Sequence, residues 1–227
     1  MKFKSSTLTQ VSGSIGGLTF AHNQAGMYIR GRGLPANPAT PAQETIRNAM
    51  SAAQTAWKNL SSAVRSGWAA YALNTPITNP LGDPAKLSGL AMYLRQYVLR
   101  AQTGQTQITT NPTSNGLSNL SALTVSQHLT QDAVDIVFNN TNAWATTTGG
   151  FLAVYQSAPK GPTNNFFKGP YKFLGVLPGN TATPPTSPFF ATSLYPLESG
   201  QRYFFRAIAV DATGRLSAPV TFQFDVA

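Results

Sequence analysis

LESGQRYFFRAIAVDATGRLSAPV, residues 197–220, decides how the second half of this chain is read. Between the turn residues Gly200 and Gly214 runs an alternating extended segment, residues 203–210. Its period is two, the period of a β-strand. The same period begins at Leu123 and marks six further strand candidates: 123–125, 133–138, 151–155, 171–176, 189–194 and 220–226. Turn residues separate them.

Seven short strands in this span have the pattern of an immunoglobulin-like sandwich. Residues 197–220 sharpen it, because they resemble the end of a fibronectin type III domain. L-x-x-G-x-x-Y (Leu197, Gly200, Tyr203) leads into a strand, and an alternating run follows. Then come a G-x-x-S turn (Gly214, Ser217) and a last strand. The resemblance implies that Tyr203 is a tyrosine corner, its hydroxyl bonded back to the preceding loop. Two departures are visible. Phe138 stands where that family has a tryptophan, and residues 156–165 insert a Pro- and Gly-bearing loop between the third and fourth strands.

Upstream, residues 40–72 (TPAQETIRNAMSAAQTAWKNLSSAVRSGWAAYA) read as two consecutive helices. Thr40 suits an N-cap, Pro41 the first helical position, and Gln43 completes a capping box. Ile46, Met50, Ala53 and Trp57 form one apolar stripe, with Arg47 and Lys58 off it. Leu60 closes this helix. Ser61 or Ser62 caps the next, whose stripe is Val64, Trp68, Tyr71 and Ala72, with Arg65 between. The pair reads as an αα-hairpin. Trp57 and Trp68 serve either as the core of a small domain or as anchors on a partner.

A third helix starts at Asp83-Pro84 or is capped by Ser88. Leu87, Leu90, Leu94, Val98 and Ala101 form its apolar row, with Tyr93 and Tyr97 alongside and Arg95 and Arg100 on the outer side. Arg100 complements the helix dipole, and Gly104 ends the helix. A core built from three such helices is marginal alone, so this half is expected to be completed by contact with partners. Residues 102–122 are polar and uncharged and read as an interdomain linker.

The first 39 residues are glycine-rich and basic. Residues 18–21 and 27–30 suggest a hairpin closed by a four- or five-residue loop. Tyr28, Arg30 and Arg32 share one face and Met27 and Ile29 the other. An isolated hairpin is marginal in water and needs a surface to lie on. Residues 31–38, with Pro35 and Pro38, form an extended connector. The expected layout is an α+β multidomain chain: a β-arm (1–39), a helical anchoring domain (40–101), a linker (102–122) and a sandwich (123–227).

Charge is uneven. The net charge is +9, and residues 1–100 carry ten Lys/Arg against Glu44 and Asp83, a net of +8. That asymmetry points the front half at an acidic partner, either nucleic acid or a protein surface. There is no cysteine, hence no disulfide and no thiolate nucleophile. No apolar run is long enough to span a bilayer, and the N-terminal MKFKSSTLTQVSGS lacks the apolar core of a secretory signal.

Catalytic constellations are missing. His22 and His128 are the only histidines and have no histidine at ligand spacing. Asp132 and Asp135 flank a strand, and Asp211 opens a turn without the alternating carboxylates of a calcium loop. No phosphate-binding glycine motif occurs, and Gly13-Ser14-Ile15-Gly16 falls one residue short of a nucleophile elbow. Neither an enzyme nor a resident cofactor or metal is expected.

Two more resemblances bear on function. W-x-x-L-x-x-x-x-R-x-x-W-x-x-x-A (57–72) resembles the second-helix signature of high-mobility-group boxes, which implies nucleic-acid binding. SGSIGGLTF (12–20), R-G-R-x-x-P-x-N-P-x-T-P-x-Q (30–43) and LSGLAMYLR (87–95), together with the tryptophan pair, resemble bacteriophage and prophage virion accessory proteins. That implies a non-enzymatic subunit of a phage particle, part of a symmetric assembly, that docks on capsid or tail. Tyr28, Arg30, Arg32, Arg47, Trp57, Arg65, Trp68, Tyr93 and Tyr97 would then be the docking residues, and the sandwich would face outward. A nucleic-acid-binding protein is the alternative; an adhesin or carbohydrate-binding module is a third reading.

Overall fold

The computed structural model of the chain describes residues 11–23, 26–33, 38–78, 84–112, 116–118, 120, 123–128 and 132–226. Lys2, Lys4, the hairpin tip at 24–25, connector residues 34–37, Asp83 and part of the 102–122 stretch lie outside these. The chain forms two compact units, Met1–Thr40 and Pro41–Ala227.

The first unit is a three-stranded antiparallel sheet of β1 (Gly13–Ile15), β2 (Leu18–Asn23) and β3 (Gly26–Gly31), in that order. The hairpin is tighter than its sequence suggested, with only residues 24 and 25 between β2 and β3. β1 is an addition. It exists because Gly16, at φ +58°, and Gly17 turn the chain in two residues, the glycine-rich turn that matches strand twist. Ile15 pairs with Leu18, and Phe20 with both Gly13 and Ile29. Paired residues share a face, so Ile15, Leu18, Phe20 and Ile29 line one side.

The second unit is α+β. Its helices are α1 (Pro41–Asn59), α2 (Ser62–Asn74) and α3 (Gly89–Thr103), with a short ribbon of β4 (Ile77–Thr78) and β5 (Pro84–Ala85) between the last two. Ser61 caps α2 and Ser88 caps α3, each accepting a backbone N–H with its hydroxyl. Gly104 ends α3 at φ +70°.

The seven expected strands follow: β6 (Thr124–Gln127), β7 (Ala133–Val137), β8 (Phe151–Gln156), β9 (Lys172–Pro178), β10 (Phe189–Thr192), β11 (Arg202–Val210) and β12 (Val220–Asp225). They form one antiparallel sheet in the order β10-β7-β6 and another in the order β12-β11-β8-β9. This arrangement is compatible with a β-sandwich. Alternation along β11 and β8 sorts their side chains. Tyr203, Phe205, Ala207, Leu152 and Val154 join Val134 and Ile136 of the facing sheet in the main core. Trp144 belongs there too, 5.4 Å from Phe138.

On the opposite face Phe151, Ala153 and Val210 pack against Leu99 of α3. The central strands are therefore covered on both sides, and β8 is buried along almost its whole length. The helices have their own core of Leu60, Trp68, Tyr71, Ala72, Met92 and Tyr93. They meet the sheet without an intervening linker. Thr103 is buried, Trp68 Nε1 donates to the Thr110 carbonyl (3.0 Å), and Gln107 Nε2 donates to the Tyr97 carbonyl (3.2 Å). Residues just past α3 thus line the helical layer, since their amides and carbonyls satisfy groups that the helices bury.

Arg100 is the junction. Its side chain is not on the outer side; only 2% of the residue is exposed. Nη1 donates to the Thr106 carbonyl (3.0 Å), and Nη2 donates to the carbonyls of Asp211 (2.7 Å) and Gly149 (3.2 Å). The guanidinium also lies over the Phe151 ring, 5.4 Å from its centroid. Two glycines permit the close fit. A Cβ on Gly89 would lie 2.7 Å from the Ala69 nitrogen, so only glycine lets α3 start against α2. Gly214, at φ +87°, presses its Cα side against Ile108, Trp68 and Gln96.

Replacing Arg100 by leucine removes the guanidinium donor from the Thr106 and Gly149 carbonyls and leaves the Asp211 carbonyl only the Gly214 N–H (3.1 Å). Arg100→Leu is expected to lower the unfolding free energy by about 3 kcal/mol or more, measured by denaturant titration. A loss near zero would show that those carbonyls find water instead.

Candidate functional site

The residues read from sequence as docking groups divide between the two units. In the arm, Thr19 pairs with Arg30 and Ala21 with Tyr28, so Tyr28 and Arg30 share the polar face. Arg30 and Arg32 are exposed and Tyr28 is half-buried. The Arg32 backbone N–H donates to the Gly17 carbonyl (2.7 Å), which ties the end of β3 to the β1–β2 turn. On the apolar side Ile15 is 78% exposed and Leu18 46%, high values for two branched aliphatics on one face.

In the second unit Arg47 and Arg65 stand exposed on α1 and α2. The aromatics do not stand with them. Trp68 is fully buried and Tyr93 only 1% exposed. Tyr93 lies 5.4 Å from Trp57, 5.5 Å from Trp68 and 5.8 Å from Tyr97 between ring centroids, and Trp68 lies 5.8 Å edge-on to Tyr71. This aromatic cluster is the core of the helical layer, and only Trp57 and Tyr97 keep partly open faces. Trp68 is core, and Trp57 packs half-buried against the same cluster.

Tyr203 is fully buried, and its hydroxyl donates to the Pro196 carbonyl and accepts from the Glu198 N–H (3.4 Å). The inserted loop after β8 is pinned to the sheet edge. Arg202 binds both carboxylate oxygens of Asp225 (2.6 and 2.8 Å) and donates to the Asn164 carbonyl (3.0 Å) and Asn165 Oδ1 (2.7 Å). Phe167 stacks on Phe204 at 5.5 Å, while Phe166 projects, 81% exposed.

A cleft that no sequence motif marks lies between α3 and the outer face of β11. Met50, Leu94, Val98, Leu99, Ile208 and Leu216 form its apolar walls, and Arg95, Gln102 and Arg206 its polar ones; its volume is about 500 Å³. The sequence carries one trace of it: Arg206 interrupts an otherwise apolar strand at a position that faces away from the main core. Nearby, the Tyr155 hydroxyl donates to Gln102 Oε1 (3.0 Å). Burial pushes the Tyr155 hydroxyl up to about 12, with Arg206 pulling the other way.

Reactive groups are sparse. His128 Nδ1, just past β6, and Asp135 Oδ2 of β7 are 2.7 Å apart, and among the described residues no third polar side chain is bonded to the pair. Among the described residues no three His, Cys, Asp or Glu gather as metal ligands, and no helix is long and apolar enough to cross a membrane. No protein-family model matches the chain, and no curated protein matches it.

The raised Tyr155 value fixes a pH dependence. An unfolded tyrosine ionises near about 10, so between there and about 12 the unfolded chain sheds a proton that the folded one keeps. Stability contributed at neutral pH is therefore lost as pH rises through that window. Tyr155→Phe is expected to flatten the fall in melting temperature across this window. An equally steep fall in the variant would place the effect elsewhere.

Proposed function

We propose that this chain is a non-enzymatic structural protein of a bacteriophage particle. It docks on the capsid or tail through its basic front half and displays a fibronectin type III-like sandwich outward. One observation carries the docking part: the arm sheet exposes Ile15 and Leu18 on one face and Arg30 from the other. A three-stranded sheet with an aliphatic face open to water gains from burial at roughly 25 cal/mol per Å² of apolar surface. The occupant proposed is a neighbouring virion subunit whose apolar strip covers the Ile15–Leu18 face and whose acidic residues, beyond the edge of the sheet, meet Arg30 and Arg32. Arg47 and Arg65 add positive charge on the helical layer.

The sandwich reading is supported by strand order. β6, β7 and β10 lie together, and β8, β9, β11 and β12 form the other sheet. First, second and fifth strands facing third, fourth, sixth and seventh is what a fibronectin type III-like domain calls for, and the Tyr203 hydroxyl bonds to the loop just before it. The fold does not itself name a ligand. The docking residues supply the function, and the body supplies rigidity.

Deleting residues 1–39 is expected to abolish incorporation into particles while residues 41–227 keep their melting temperature. Arg30→Glu with Arg32→Glu is expected to weaken incorporation without touching the body. Normal incorporation of the deletion would overturn the docking reading. Submicromolar DNA binding that falls steeply with salt would favour a nucleic-acid-binding protein instead.

A further inference from the structure

The face of α3 that its sequence marks as core is not core. Met92, Tyr93, Gln96, Leu99 and Arg100 turn inward, while Leu94 and Val98 stay half-open and Leu90 is 36% exposed. Leu94 and Val98 line the cleft of about 500 Å³ with Ile208 of β11 opposite. That volume falls within the range of small-molecule sites, roughly 300–1,000 Å³.

Two arginines stand in this cleft. Arg95 and Arg206 line it together, and both also line an adjoining cleft of about 510 Å³ beside Met92 and Ser217. A third cleft of about 430 Å³ joins Arg206 to Lys168, Tyr155 and Tyr171. Among the described residues none of these cations has an acid partner. The ion pairs among the described residues are His128–Asp135, Arg202–Asp225 and Arg215–Asp211. Among the described residues the Arg95 side chain donates to the Met92 sulfur, at 3.6 Å, a weak acceptor. Burial pushes the Arg95 guanidinium below its ordinary value; the Tyr71 hydroxyl opposes that shift and Arg206 adds to it. Two guanidiniums facing one partly dry cleft repel each other and leave most of their donors unused.

We propose that this cleft binds a small carboxylate with an apolar tail, the carboxylate bridging Arg95 and Arg206 and the tail lying along Leu94, Val98 and Ile208. A planar carboxylate meets guanidinium donors in pairs, and the charge-assisted bonds are stronger than neutral ones. Each alternative fails on the same geometry. A cation is repelled, and an uncharged apolar molecule would bury the guanidiniums without partners. A bare inorganic anion would leave the Leu94–Ile208 walls wet. The site belongs to the Pro41–Ala227 unit and does not rest on the docking role of the arm.

Octanoate, acetate and octylamine titrated into the full-length chain test this, with binding read by calorimetry and by shifts of the Arg Nε–H and Leu and Val methyl resonances. Octanoate is expected to saturate a single site. Acetate should bind at least about tenfold more weakly, since one or two buried methylenes already account for that factor, and octylamine should not compete. Arg95→Gln and Arg206→Gln should each weaken octanoate at least about tenfold, the loss of a charge-assisted partner. Octanoate binding no tighter than octylamine in the unmodified chain overturns the proposal whatever the variants do. So does wild-type affinity in both variants, or resonance shifts away from Leu94, Val98 and Ile208.

Discussion

One guanidinium couples the helical and β layers of this protein. Arg100 leaves α3, crosses to the sheet and donates to carbonyls at Thr106, Gly149 and Asp211, residues that lie in three separate stretches of chain. Charged groups are buried only where their donors are met. Here the acceptors are backbone carbonyls outside helix and strand, of which Asp211 also accepts from the Gly214 N–H (3.1 Å). The consequence is register: α3 can sit on the sheet in one position only, with Leu99 over Phe151 and Val210. The Tyr71 hydroxyl, accepting from the Leu216 N–H at 3.3 Å, fixes the α2 end of the same contact.

That position explains the cleft. With Arg100 and Leu99 drawn to the sheet at the C-terminal end of α3, the helix's leucine row is left facing β11 at an open angle. Arg95 and Arg206 are among its lining. The aromatic cluster of Trp68, Tyr71 and Tyr93 is consumed in holding α2 and α3 together, so the body offers partners mainly charge. The arm offers the reverse, exposed aliphatics on a thin sheet. The chain divides into two compact units, Met1–Thr40 and Pro41–Ala227.

Much of this was legible in the sequence. Short extended runs bounded by turn residues located all seven C-terminal strands; β8, covered on both faces, reads as a continuous apolar run and not as an alternating one. The caps Ser61, Ser88 and Gly104 were readable because orphan backbone groups at helix ends admit few residue types. What misled was α3. Leu87, Leu90, Leu94, Val98 and Ala101 make a cleaner apolar stripe than Met92, Tyr93, Gln96, Leu99 and Arg100, yet the second set is buried. An arginine with three carbonyls waiting outcompetes a leucine with no cavity to fill, and no local pattern announces acceptors that lie 49 and 111 residues away. The same blindness hid Trp144, which sits in a turn without periodicity, and made residues 102–112 look like a tether when their polar groups are partners of the helices. The helices are too small to stand alone, as their size implied, but the surface that completes them is the sheet of the same chain and not the partner expected.

Amide hydrogen exchange on the full-length protein reads the coupling of helix and sheet directly. If Arg100 and its neighbours bind the layers into one cooperative body, the slowest amides of α2 and α3 should open with the same free energy as those of β8 and β11, since all would exchange through global unfolding. Helical amides that exchange through a separate, less costly opening while β8 and β11 stay protected would contradict the account, because the helices would then be an independent layer resting on a self-sufficient sandwich.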